Sequence, residues 1–300
     1  MRFNKLDLNL LVALDALLSE RNISRAAEKV NLSQPAMSNA LGRLREYFED
    51  DLLLMVGRKM EPTSRALGLE DTVREILVRV GATVTKRSSF VPAESTRLFR
   101  LVVSDYTQMT LMPHVIKRAY ELAPGVRFEL CAQSAHPQRA LERTDVDLLI
   151  IPKEYCSNEH PSETLLEETF CCVIWKDSLL AAEELTHKRY LEAGHIVVVP
   201  GQEQTGLEEW FMRELGVARR IETTTYSFTA PGYLLVGTER IATMHRRLAL
   251  QAAKSEPIVI RDVPLAMPKM QQSTQWHTHR TNDPGLLWLR ELLMSCASAL

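Results

Sequence analysis

The stretch 24–45, SRAAEKVNLSQPAMSNALGRLR, leaves the chain few ways to fold. It reads as two short helices joined by a tight turn. Ser24 is placed to cap the first helix, whose inner face is Ala26, Ala27 and Val30. Asn31 tolerates the left-handed backbone a sharp turn needs, and Leu32 is suited to plug the gap between the helices. Ser33 caps the second helix, and Pro35 falls in its first turn, where a missing N–H does no harm. Met37, Leu41 and Leu44 recur at helical spacing and face inward, which leaves Gln34, Ser38, Asn39, Arg43 and Arg45 outside. Amides read adenine edges and guanidinium groups read guanine or phosphate, so this outer surface suits a DNA major groove.

Spacing of this kind is also found in any amphipathic helical hairpin, and the flanks decide between the two readings. Residues 6–20 form a preceding apolar helix that completes a three-helix core. Residues 52–55 and 60–63 read as a hairpin around Val56-Gly57-Arg58-Lys59. A hairpin with Arg58 near its tip is a wing that reaches the minor groove or phosphates. Residues 1–63 are therefore expected to be a winged helix-turn-helix.

The whole chain has 300 residues and a formal net charge of −2, which excludes bulk electrostatic attraction and confines DNA contact to a local patch. The opening MRFNK runs directly into an amphipathic helix rather than a signal peptide, and no apolar run is long enough for a membrane span. The five cysteines show no CxxC spacing, the pattern of reduced thiols. A cytoplasmic protein is expected.

Residues 64–92 form a linker. Leu67, Leu69, Val73, Ile76, Leu77, Val80 and Val84 hold a helical period, and no neighbouring element in the sequence is available to bury them. Pairing with a second copy of the chain is expected, the alternative being packing on the chain's own C-terminal domain. A hinge follows at 88–93. Residues 93–300 then alternate strands (98–104, 126–131, 146–151, 170–175, 196–199, 221–226, 240–244, 257–260, 272–276) with helices (109–122, 137–143, 207–215, 231–236, 284–296). Near-continuous Val/Ile/Leu strands between helices indicate parallel sheets covered on both faces. The fold class is α/β, with two lobes and a ligand cleft at the carboxyl ends of the strands.

Enzyme signatures are missing: there is no GxGxxG, Walker loop, GxSxG or HExxH. His277 and His279, or Cys156 and His160, lack further metal ligands at suitable spacing. Glu167-Glu168 and Glu208-Glu209 read as solvated faces. No catalytic group, cofactor or metal is expected. Candidate ligand contacts are the strand-to-helix turn Ser104, Asp105, Tyr106 and Thr107, then Thr205 in the loop PGQEQTG (200–206), with Tyr226 and Phe228 as an aromatic wall. His277 falls near the cleft by the same strand reading. Each turn residue has capping as its alternative role.

The motif SRAAEKVNLSQPAMSNALGRLR, followed by Asp51-Leu52 and then Glu61-Pro62-Thr63, resembles the LysR-type transcriptional regulators along the whole chain. The opening MRFNKLDLNLLVALDALLSERN, RFEL (127–130), LEEWF (207–211) and the closing QWH…DPGLLWLR are similar to NodD-type nodulation regulators and relatives that control aromatic-degradation operons. The resemblance implies a two-lobed effector domain like that of periplasmic binding proteins. It also implies homodimers assembling into a homotetramer on operator DNA, and an inducer that relaxes DNA bending and recruits RNA polymerase. Ser33, Gln34, Pro35, Ser38 and Arg43 match the family's DNA-reading helix. The inducer would be aromatic or phenolic, flavonoids and chlorinated phenols included, and the protein mainly an activator of a catabolic or symbiosis-type operon. Two departures matter. Many relatives carry Phe at Leu53 and an Arg close behind, whereas 53–56 here is wholly apolar, which moves the expected wing contact to Arg58. Gln204-Thr205 stands where some aromatic-acid regulators have Gly-His. A free-standing solute-binding protein or enzyme on the same clamshell is the alternative, and residues 1–89 argue against it.

Overall fold

The computed structural model describes residues 6–57, 59–85, 90–134, 136–200 and 206–300. Contacts divide the chain into two units, 1–88 and 89–300. The first opens with α1 (Leu8–Glu20), whose first turn is capped by the Asp7 carboxylate accepting from Leu10 N at 2.9 Å. Helices α2 (Ile23–Lys29) and α3 (Gln34–Phe48) follow. The cap of α2 is Asn22, which accepts from Arg25 N at 3.0 Å; Ser24, the expected cap, already lies inside the helix. Asn31 is left-handed at φ 56° as the turn requires. Leu32 is exposed rather than a plug, because Ala26, Ala27, Met37, Leu41 and Leu44 fill the core with Leu14 and Leu17 of α1. Arg45 is not left outside either. Its guanidinium donates to the carbonyls of Asp51 (2.8 Å) and Leu53 (2.7 Å) and ties the end of α3 to the wing.

The wing is the hairpin β1 (Leu53–Val56) and β2 (Lys59–Pro62), with Leu53 opposite Pro62 and Val56 opposite Lys59. Gly57 turns the chain at φ 64°, a conformation that favours glycine. Asp50 Oδ1 accepts from Leu52 N and Thr63 Oγ1, each at 2.7 Å, so one carboxylate pins both ends of the hairpin. The linker is the 22-residue α4 (Ser64–Thr85). Contrary to the expectation that nothing nearby would cover it, α1 packs on α4. Ala66 and Val73 are buried in the core they share, and Arg74 is sealed between Asp15 and Glu70, at 3.1 Å from each. Leu67 and Ile76 stay exposed.

The second unit comprises two five-stranded sheets. Lobe I contains β3 (Leu98–Val103), α5 (Asp105–Thr110), α6 (Met112–Leu122), β4 (Arg127–Cys131), α7 (Pro137–Glu142), β5 (Leu148–Pro152) and β6 (Ser162–Glu168). The chain crosses at Thr169 into lobe II: β7 (Phe170–Trp175), α8 (His187–Glu192), β8 (Gly194–Val198), α9 (Leu207–Glu214), β9 (Arg220–Thr225), α10 (Pro231–Leu234), β10 (Arg240–His245), α11 (Arg246–Ala252) and β11 (Ile258–Arg261). It returns to lobe I with β12 (Met270–Gln275) and α12 (Pro284–Ala297). Strand orders are β4-β3-β5-β12-β6 and β9-β8-β10-β7-β11, the same arrangement twice.

The sheets are mixed rather than parallel, because the crossing strands β12 and β7 run antiparallel to their neighbours. The segment expected as one helix, 109–122, is two: α5 starts directly after β3, the break falls at Leu111, and Pro113 opens α6. Strand β3 is buried on both faces. Phe99 and Leu101 meet α6 and α12, while Val102 meets Leu141 of α7, which explains its continuous apolar text.

Candidate functional site

On α3 the apolar residues turn inward and leave Ser33, Gln34, Pro35, Ser38, Asn39 and Arg43 exposed on one face. Ser33 Oγ accepts from Ala36 N at 3.3 Å and caps the helix. Arg43 reaches Asp7 at 3.4 Å, with both side chains about half exposed. Exposed pairs of this kind are worth under ~1 kcal/mol, so the guanidinium is readily transferred to a phosphate or base. Lys59 is exposed on the wing, and so are Leu54, Met55 and Val56. Arg58 lies outside the described residues.

The cleft is built where β3 ends. Ser104 Oγ accepts from Thr107 N at 3.3 Å and caps α5, while the buried Thr107 accepts from Gln272 Nε2 at 3.1 Å. Asp105 reaches across to lobe II, where its Oδ2 accepts from Ser227 Oγ (2.7 Å), Thr229 N (3.2 Å) and Thr229 Oγ1 (3.2 Å). Tyr106 also crosses, packing within the lobe II core and donating its phenol to Glu168 Oε2 at 2.7 Å. Burial, and then the Glu168 charge, push the phenol's pKa up, so it stays a donor. Arg247 lies 3.2 Å from the same carboxylate oxygen.

At the end of β10, His245 faces the Tyr106 ring at 4.4 Å, Phe170 at 5.1 Å and Phe228 at 5.4 Å, measured between centroids. Burial pulls its pKa down to about 4, against the opposing pull of Asp105. Gly206 is the N-cap position of α9; a Cβ there would lie 2.7 Å from the Val198 carbonyl oxygen, so the close approach requires glycine. Thr205 lies outside the described residues.

The structure thus brings Ser104, Asp105, Tyr106, Thr107 and Phe228 together. It does not bring His277. Because β12 is antiparallel to β5, with Gln272 opposite Pro152 and Gln275 opposite Leu149, residues after Gln275 emerge at the sheet edge away from Ser104. There His277 stacks near His160 at 4.8 Å. Tyr226 is likewise not a wall, being 82% exposed. Glu168 is buried instead of solvated, and Glu208 and Glu209 clasp the buried Arg219. His245, Gln272, Ser227 and Thr229 were not anticipated from the sequence; a buried strand as polar as MQQSTQ was the signal for Gln272. Among the described residues no cluster of His, Cys, Asp and Glu is arranged for a metal, and no helix is long and apolar enough to cross a membrane.

A winged helix-turn-helix with a free polar helix face, followed by a two-lobed domain with a polar and aromatic cleft, defines a ligand-responsive DNA-binding regulator. Residues 8–67 match the bacterial regulatory helix-turn-helix protein model of the LysR family, and residues 92–297 match the LysR substrate binding domain. The chain belongs to the LysR family. It is 44% identical over 299 residues to nodulation protein D 1 of Rhizobium leguminosarum bv. phaseoli, covering 99% of this chain and 95% of that protein. It is 43% identical to nodulation protein D 2 of Rhizobium tropici, with the same coverage. Among solved structures, a transcriptional regulator from Pseudomonas aeruginosa superposes with a TM-score of 0.68 at 28% identity, covering 98% of each chain. The protein is an inducer-responsive transcriptional activator and not an enzyme. As a member of this family it binds DNA, oligomerises and takes a small molecule as effector.

Proposed function

We propose that the effector is an aromatic or phenolic inducer held in the cleft between lobes I and II. The observation that carries this reading is the set of rings from Tyr106, Phe170 and Phe228 gathered around His245, beside the hydroxyls of Ser104 and Thr107. Residues 1–63 read the operator through Ser33, Gln34, Pro35, Ser38, Asn39 and Arg43, with Arg58 on the wing. Residues 64–92 pair chains, and 93–300 receive the inducer. Dimers assemble into a tetramer in the cytoplasm and recruit RNA polymerase when the inducer is bound. The relatives named nodulation protein D favour a symbiosis-type operon over a catabolic one.

Thermal unfolding of the full chain against aromatic acids, phenols, chlorophenols and flavonoids tests the proposal. A ligand at a hundredfold over its Kd stabilises the folded state by about 2.7 kcal/mol. One chemical class is expected to raise the midpoint by several degrees. No shift with any class overturns the aromatic reading.

A further inference from the structure

The cleft floor contains a polar ring with nothing to bind. His245 closes β10 and opens α11, and it is only 6% exposed. Its neighbours are the three rings of Tyr106, Phe170 and Phe228. Among the described residues neither of its nitrogens has a hydrogen-bond partner, whereas the buried His195 shares Nε2 with the Tyr190 carbonyl at 2.7 Å. Nor is His245 among the groups whose unpaired nitrogens are sealed from solvent, as those of His160 and His195 are. Buried polar groups are almost always paired, and a phenylalanine would suit three aromatic neighbours at less cost. The imidazole is therefore kept for a partner that arrives from the cleft.

The surrounding charges narrow what that partner is. Asp105 is the charged group that acts on the ring, and Glu168 lies behind Tyr106. Both are carboxylates. The cations that follow His245 in the chain are both held, Arg246 by Asp262 and Arg247 by Glu168 and the Glu167 carbonyl. Glu168 and Arg247 offset each other, so an anionic ligand would meet the Asp105 carboxylate with no free guanidinium from Arg247 to balance it.

We infer that His245 is the specificity residue of the cleft: its imidazole accepts the hydroxyl hydrogen of an uncharged hydroxyaryl inducer and, with Asp105 beside it, disfavours the aromatic carboxylate of the same shape. The inference rests on the cleft being the inducer site, as proposed above. Burial keeps the ring neutral at pH 7, and a neutral imidazole offers one acceptor nitrogen.

The test is calorimetric titration at pH 7 of the full chain and its His245→Phe and His245→Gln variants. The probes are 4-phenylphenol and 4-phenylbenzoate, matched in shape and different in charge. The wild-type chain is expected to bind the phenol at least about tenfold more tightly than the carboxylate, a margin typical of one buried hydrogen bond. His245→Phe should collapse the ratio to near one, and His245→Gln should restore most of it. The ratio does not depend on how much of a variant is folded. A ratio that survives His245→Phe, or a wild-type preference for the carboxylate, overturns the inference and leaves an aromatic inducer standing. No binding of either probe to the wild-type chain removes both.

Discussion

The α3 face proposed to read DNA and the proposed inducer cleft are built on opposite principles. The α3 face comes from one continuous segment, and its side chains stand in water, Arg43 sharing a single exposed ion pair with Asp7. The cleft gathers side chains from turns and strands far apart in sequence: buried hydrogen bonds join Tyr106 to Glu168 and Gln272 to Thr107 within lobe I, and Asp105 reaches across to Ser227 and Thr229 of lobe II. Recognition on α3 is thereby uncoupled from stability, while in the cleft the groups available to a ligand also hold the lobes together. Inducer binding can act on lobe geometry for that reason, and substitutions in the two regions should fail in different ways.

The strongest challenge to this contrast is Glu168→Ala. The substitution strands the Tyr106 phenol and Arg247 in and beside the lobe II core. Breaking a buried pair from one side costs about 3 kcal/mol, which for a domain of this size lowers the midpoint by on the order of 10 °C. Differential scanning calorimetry reads it directly; a drop under two degrees would show that the network is not structural. Arg43→Ala should do the reverse. Operator affinity falls by about 1–3 kcal/mol if the guanidinium contacts a base edge, with the thermal midpoint unchanged. Fluorescence anisotropy on operator DNA measures it, and an unaltered Kd removes Arg43 from the interface.

The same contrast explains what the sequence reveals. The α3 face is legible because an apolar period and its polar remainder lie in one segment, and caps such as Ser33 are local chemistry. Even there, Arg45 escapes the pattern: helical spacing puts it outside, but the wing carbonyls that claim it come from the next element. The burial of α4 by α1 is hidden in the same way, since the two are separated by the whole helix-turn-helix. Strand β6, at the edge of its sheet, carries Glu163, Glu167 and Glu168 and lacks the apolar run that marks β3 and β5. His277 is misplaced because the sequence shows a strand at β12 without its direction, and direction decides which edge the next residue reaches. Periodicity reports faces, not which faces meet, so the cleft floor is visible only in three dimensions.

A smaller effect comes from pH. Burial lowers the pKa of both His195 and His245 to about 4 in the folded chain, against about 6.5 when unfolded. Between those values the unfolded chain binds more protons, so stability falls as pH drops from about 6.5 toward 4 and is unaffected above that window. At pH 5.5 each histidine should cost on the order of 1 kcal/mol relative to pH 7.5. His195→Phe lowers stability at every pH by removing the bond to the Tyr190 carbonyl, yet it should flatten the acid slope. An unchanged slope would show that the ring is not held neutral.

The smallest expected effect tests the exposed side of the comparison. Asp7 caps α1 and also draws Arg43 at 3.4 Å. Asn caps a helix as well as Asp does, so Asp7→Asn should leave folding intact while removing a negative charge beside the DNA-reading face. Operator affinity should rise about two- to fivefold at low salt and lose that gain as added salt screens the charge. The informative version is the double-mutant cycle with Arg43→Ala. If Asp7 acts by competing with DNA for Arg43, the gain disappears in the Arg43→Ala background. If Asp7 merely repels phosphate, the gain persists there in full, and Arg43 is then an ordinary surface cation rather than a reader held in reserve.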